Sequence, residues 1–116
     1  MMASSSKTIR DLNDRFRKGD SAIPGRFMIT IGVQNLIAEH DGYSLEHVIE
    51  QVQQFDAFTA DNDPHAEHDF GAFDFLGAKH FWKIDYYAPD LQHGSEDPAD
   101  VAKTTRVLTL MLAEEY

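Results

Sequence analysis

Asp69-Phe70-Gly71-Ala72-Phe73-Asp74-Phe75, a short Leu76-Gly77-Ala78, and Lys79-His80-Phe81-Trp82-Lys83-Ile84-Asp85-Tyr86-Tyr87 together decide the fold. Both flanks alternate. Phe73 and Phe75 share one face of the first, and Trp82, Ile84 and Tyr86 share one face of the second. A period of two in aromatic and β-branched residues predicts strands. Gly77 stands where a tight hairpin turn needs a left-handed backbone. The stretch therefore predicts a hairpin, 69–75/79–87, whose aromatic faces meet in the core. Phe81, Lys83, Asp85 and Tyr87 point the other way, so that face is expected to be partly covered, with Lys83 and Asp85 placed to pair.

Upstream, Phe27, Ile29, Ile31 and Val33 also alternate and predict a strand over 26–33. Residues 1–6 are expected to form a disordered tail. Ser6 then caps a helix over 7–18, with Ile9, Leu12 and Phe16 on its apolar stripe, Arg10, Arg15, Arg17 and Lys18 on a basic face, and Gly19 as its stop. Asp41-Gly42 signals a turn. Ser44 caps a second helix, 45–56, with Leu45, Val48, Ile49, Val52 and Phe55 on one side. Downstream, Asp97-Pro98 has the form of a helix start. Val101, Thr105, Leu108 and Leu112 make a stripe that Val107, Leu110 and Met111 widen, predicting a helix over 98–114. A helix apolar over that width is deeply buried or an association surface. The resulting α-β-α-β-β-α order predicts an α+β fold: one domain over 7–116, with a small antiparallel sheet packed by three helices.

The 116 residues carry a formal net charge of −10 and no cysteine. Disulfides, thiolate metal sites and thiol nucleophiles are thereby excluded. No apolar run approaches the roughly 20 residues that span a bilayer, and residues 1–7 lack an apolar signal core, so a cytoplasmic location is expected. The charge is unevenly placed. The 52 residues from Phe27 to Ala78 contain ten acids and no Lys or Arg. So acidic a chain is a poor ligand for nucleic acid or an anionic membrane and a natural partner for a basic protein.

The densest chemistry lies in Asp61-Asn62-Asp63-Pro64-His65-Ala66-Glu67-His68-Asp69. Two histidines near carboxylates supply the nitrogen and oxygen donors that zinc, manganese or iron accept. Known templates do not fit. His-Glu-x-x-His is absent. His65-Ala66-Glu67 opens like a zinc deaminase signature, but its cysteine half cannot occur here. Asp61-x-Asp63 opens like a calcium loop, yet Ala66 replaces its glycine and Ala72 its closing glutamate. Asp, Asn and Pro in such a run also form turns by bonding their own backbone.

The strings Asn62-Asp63-Pro64-His65-Ala66-Glu67-His68-Asp69-Phe70-Gly71-Ala72-Phe73 and Phe81-Trp82-Lys83-Ile84-Asp85-Tyr86-Tyr87 resemble the signature of the bacterial domain of unknown function 3768. Residues 9–16 and 106–113 are similar to its ends, so the resemblance covers about residues 7–116. It implies a small accessory protein of bacteria, often carried on plasmids and other mobile elements. It implies no activity and transfers no catalytic residue.

Three readings follow. On the first, the chain is a small acidic non-enzymatic interaction protein. It acts as an inhibitor or nucleic-acid mimic that binds a basic surface of a nucleic-acid-handling or defence protein, through Asp56, Asp61, Asp63, Glu67, Asp69 and Asp74. No cofactor, direct nucleic-acid binding or membrane contact is then expected. On the second, it is a small metal-dependent hydrolase, with His65 and His68 as ligands to a divalent metal such as zinc or manganese and Glu67 or Asp69 as third ligand or base. On the third, it is a structural subunit or self-associating domain that forms a homodimer through the wide apolar face of helix 98–114.

Overall fold

The computed structural model describes residues 2–116, with side chains from residue 5 onward. The hairpin forms as its sequence predicts. Strands β2 (Phe70–Phe75) and β3 (Ala78–Tyr87) pair antiparallel, closing at Phe75↔Ala78. Leu76 and Gly77 form the turn with φ of 51° and 76°. Two consecutive left-handed residues match the right-handed twist of the flanking strands.

Strand β4 (Thr105–Leu112) lies along the other side of β3, antiparallel to it, and β1 (Gly25–Ile29) pairs parallel with β4. The sheet order is β1-β4-β3-β2. The expected antiparallel sheet is thus a mixed one. The fold remains α+β, with helices α1 (Met2–Arg17), α2 (Ile31–Ala38) and α3 (Leu45–Gln54).

The helix expected over 98–114 is a correction. Only a short 3-10 turn, Val101–Lys103, precedes β4. Asp97 does cap a turn, accepting the Ala99 N–H at 3.1 Å, but the turn goes no further as an α-helix. The wide apolar stripe is that of a central strand: Leu108, Leu110 and Leu112 bury on one face, while Val107, Thr109 and Met111 lie on the other. A short apolar run fits either period, and the β-formers Thr104, Thr105, Val107 and Thr109 favour the strand. The homodimer surface on that helix falls with it.

The strand expected over 26–33 ends at Ile29, because residues 31–38 turn into α2 and bury Val33 and Ile37 one turn apart. Its cap is tertiary. Thr30 has no side-chain cap bond of its own; instead Glu115 accepts from Thr30 Oγ1 at 2.6 Å, Gly32 N–H at 3.1 Å and Leu112 N–H at 2.8 Å. A carboxylate at a helix N-terminus satisfies orphan donors and complements the helix dipole. The helix α1 already runs from Met2, upstream of the Ser6 cap. The tail expected over 1–6 lies partly outside the described residues.

All three helices lie against one face of the sheet. Leu12 and Phe16 of α1, Val33 and Ile37 of α2, and Val48 and Val52 of α3 form one cluster with Trp82, Ile84, Leu108 and Leu110. At the centre Gly71 faces Trp82; a Cβ there would come within 2.3 Å of the indole nitrogen. The opposite sheet face carries no helix from among the described residues, and Met28 on it is 52% exposed. No described helix is long and apolar enough to cross a membrane.

Candidate functional site

The acidic loop between α3 and β2 builds itself from its own side chains. Asn62 accepts the Thr59 N–H and donates to the Ala57 carbonyl. Asp63 is buried, and its carboxylate accepts the N–H groups of Glu67 and His68 at 3.2 Å. Ala66 and His68 both sit at φ 55°, left-handed for residues with a Cβ. Such positions are strained and persist where surrounding bonds hold them. Here the bonds are those to Asp63, together with Asn13 Nδ2 donating to the Glu67 carbonyl at 2.9 Å.

His68 is spent on structure. Its ring stacks on Phe58 with centroids 3.7 Å apart and an interplanar angle of 4°. Its Nδ1–H donates to Asp14 at 2.9 Å, since an ionised carboxylate only accepts. Asp14 also takes Arg17 Nη2 at 3.2 Å. Arg17, assigned by its sequence to a basic outer face, is in fact buried. Its Nη1 donates to the carbonyls of Val52, Gln53 and Phe55 at the end of α3, and its guanidinium lies over Phe58 and Trp82. Burial pulls its pKa down, against the pull of Asp14.

A second buried arginine organises the other half. Arg106 Nε donates to Asn13 Oδ1 at 2.6 Å and Nη2 to the Pro98 carbonyl at 2.6 Å, while Nη1 has no hydrogen-bond partner. Asn13 Nδ2 also donates to the Tyr86 hydroxyl at 2.8 Å, and that hydroxyl lies 3.5 Å from Glu67 Oε1. Burial raises the Tyr86 pKa, and desolvation with neighbouring carboxylates raises those of Glu67 and Asp69.

The residues expected to act together are thus divided. Asp63 is an internal staple. Glu67 and Asp69 are half-buried beside Tyr86, while Asp56, Asp61 and His65 are exposed. Asp74 lies opposite Lys79 on the helix-free sheet face, about 17 Å along the strand from Asp69. His68 turns its Nδ1 to Asp14 and its face to Phe58. Among the described residues, no group of three or more His, Asp or Glu side chains converges as a metal site. Asn13, Arg17 and Arg106 were not singled out by their sequence context. The one available signal was spacing, since Ile9, Asn13 and Arg17 recur every fourth residue and so share a helix face.

Residues 29–115 match a family described as protein of unknown function, DUF3768. The chain belongs to DUF3768. The match takes in the acidic loop, the whole hairpin, β4 and the Glu115 cap, and leaves out α1, which supplies Asn13, Asp14 and Arg17. No curated protein and no solved structure matches this DUF3768 chain.

Proposed function

We propose that the chain is a small acidic interaction protein that acts by binding rather than by turnover, presenting its helical side to a basic protein surface as a mimic of nucleic-acid charge. The observation that carries this is the placement of unpaired acids. Glu39, Asp41, Glu46, Glu50, Asp56 and Asp61 are all exposed, and all lie on α2, α3 or the segments that follow them. None forms an ion pair among the described residues, although Asp56 does feel the buried Arg17, whose pKa it acts to raise. Glu46 and Glu50 stand about 6 Å apart, one turn along α3. Carboxylates left without counter-ions repel one another and gain most from a basic partner, which they also steer into encounter. Asn62, Asp63 and His68 are committed to holding the loop in shape, which suits recognition better than turnover.

The test is retention of a panel of purified DNA-binding proteins on the immobilised chain. Retention that duplex DNA competes away, that weakens steeply with salt, and that is lost in a Glu46→Lys/Glu50→Lys/Asp56→Lys/Asp61→Lys variant supports the mimic. Retention indifferent to both salt and these substitutions would sink it.

A further inference from the structure

The helix-free face of the sheet is built unlike the rest of the surface. Strand alternation places Met28, Phe70, Ala72, Phe81, Val107 and Met111 on it, with the Phe70 and Phe81 rings 5.3 Å apart toward its β2 edge. Tyr116 covers one corner, edge-on to Phe81 at 5.6 Å, and is itself 77% exposed; Leu91 lies beside Met28 and Val107 at the opposite corner, and Met111 is already buried. The charges on this face are Arg26, Lys79 and Lys83 against Asp74 and Asp85, a net +1 in a chain of −10. Lys83 and Asp85 pair at 3.0 Å in its centre.

We propose that this face is covered by a second copy of the chain, sheet against sheet about a two-fold axis. Charge selects that occupant. Two copies meeting through their helical sides would set acid against acid, whereas two sheet faces meet with little net charge on either. A two-fold contact is self-complementary, so the Lys83–Asp85 pair of each copy can be exchanged for a pair across the interface. The size is suitable. Four strands of about seven residues present roughly 400–500 Å² in flat projection, and side-chain relief brings the accessible area nearer the ~800 Å² per partner of a standard interface. Packed this way, the two acidic helical layers face outward on opposite sides, so one dimer can engage a basic partner twice.

The experiment is molar mass by light scattering and sedimentation velocity on the full chain, from micromolar to near-millimolar concentration. The expected result is twice the chain mass of 13.1 kDa. Lys83→Glu and Met28→Glu should each weaken dimerisation at least tenfold, and Glu46→Lys on the helical side should leave it unchanged. Met28 is exposed at the sheet edge, so its variant should keep the wild-type circular dichroism spectrum even if another does not. A wild-type monomer throughout that range overturns the proposal. So does a dimer that Met28→Glu and Lys83→Glu leave intact, or one that Glu46→Lys dissociates.

Discussion

Replacing Asn13 by Ala removes the hub joining α1, the acidic loop, β3 and β4. Asn13 is fully buried and makes three bonds: from Arg106 Nε at 2.6 Å, to the Glu67 carbonyl at 2.9 Å and to the Tyr86 hydroxyl at 2.8 Å. Truncation leaves Arg106 with the Pro98 carbonyl alone, while Nη1 already lacks a partner. A buried neutral group left unsatisfied costs about 1–3 kcal/mol, and a charged one more. The three losses share one site and do not add, and water can reach the half-exposed Tyr86, so a total of about 3–5 kcal/mol is expected. Against a domain stability of about 5–15 kcal/mol that is a large fraction. Urea unfolding, followed by fluorescence of the buried and single Trp82, reads it directly. With an m-value of roughly 1.5 kcal/mol per M, the midpoint should fall by roughly 2–3 M. Asn13→Asp, which keeps the acceptor for Arg106 and loses only the donors, should fall less. A midpoint shift below about 0.5 M for Asn13→Ala would refute the view that this hub holds the site together.

Gly71→Ala puts a Cβ 2.3 Å from Trp82 Nε1, so strand or indole must move. The cost should be about 1–3 kcal/mol in thermal melts, and an unchanged melting temperature would contradict the packing. Glu115→Ala removes the cap on α2. At so exposed a site the loss should be about 1 kcal/mol, with faster hydrogen exchange of the Gly32 amide as its local mark. Burial lowers the His80 pKa, although the Ala78 carbonyl acts against it. The unfolded chain therefore binds the proton first, and stability is lost as pH falls below the ordinary histidine value of about 6.5, until the lowered folded value is passed. His80→Phe should flatten that part of the pH profile, and a slope that survives the substitution assigns the effect elsewhere. Glu67 and Asp69, whose carboxyls are raised, act in the opposite sense at lower pH, gaining stability as they protonate.

How far the fold can be read from residues depends on whether the deciding partner is local. The hairpin could be read because its turn and its alternation lie within one stretch; α1 and α3 could be read because their stripes repeat every turn. The start of α2 could not. Its cap, Glu115, is 85 residues from Thr30. Nothing around Ile31 distinguishes a strand that continues from a helix capped from the far end of the fold. The strand β4 failed for a different reason. A central strand buried on one face and half-covered on the other loses the polar alternation that marks strands, and Leu108 and Leu112 then stand at helical spacing. In the site, the turn-forming role of Asp63 was legible from Asp-Asn-Asp-Pro chemistry. The inward turn of His68 was not, since Phe58 and Asp14 come from other elements.

The position of β4 also bears on how the molecule is made. Among the strands it comes last in the chain, yet it lies between β1 and β3. During synthesis β1 emerges early and has no neighbour to join; only the hairpin can form ahead of β4. The parallel β1–β4 pair closes across about 80 residues, the kind of distant closure that slows folding. Until β4 leaves the ribosome, the nascent chain carries an unpaired strand edge at Gly25–Ile29 and the apolar face of the hairpin, and it is then that a chaperone or an aggregating neighbour can claim it.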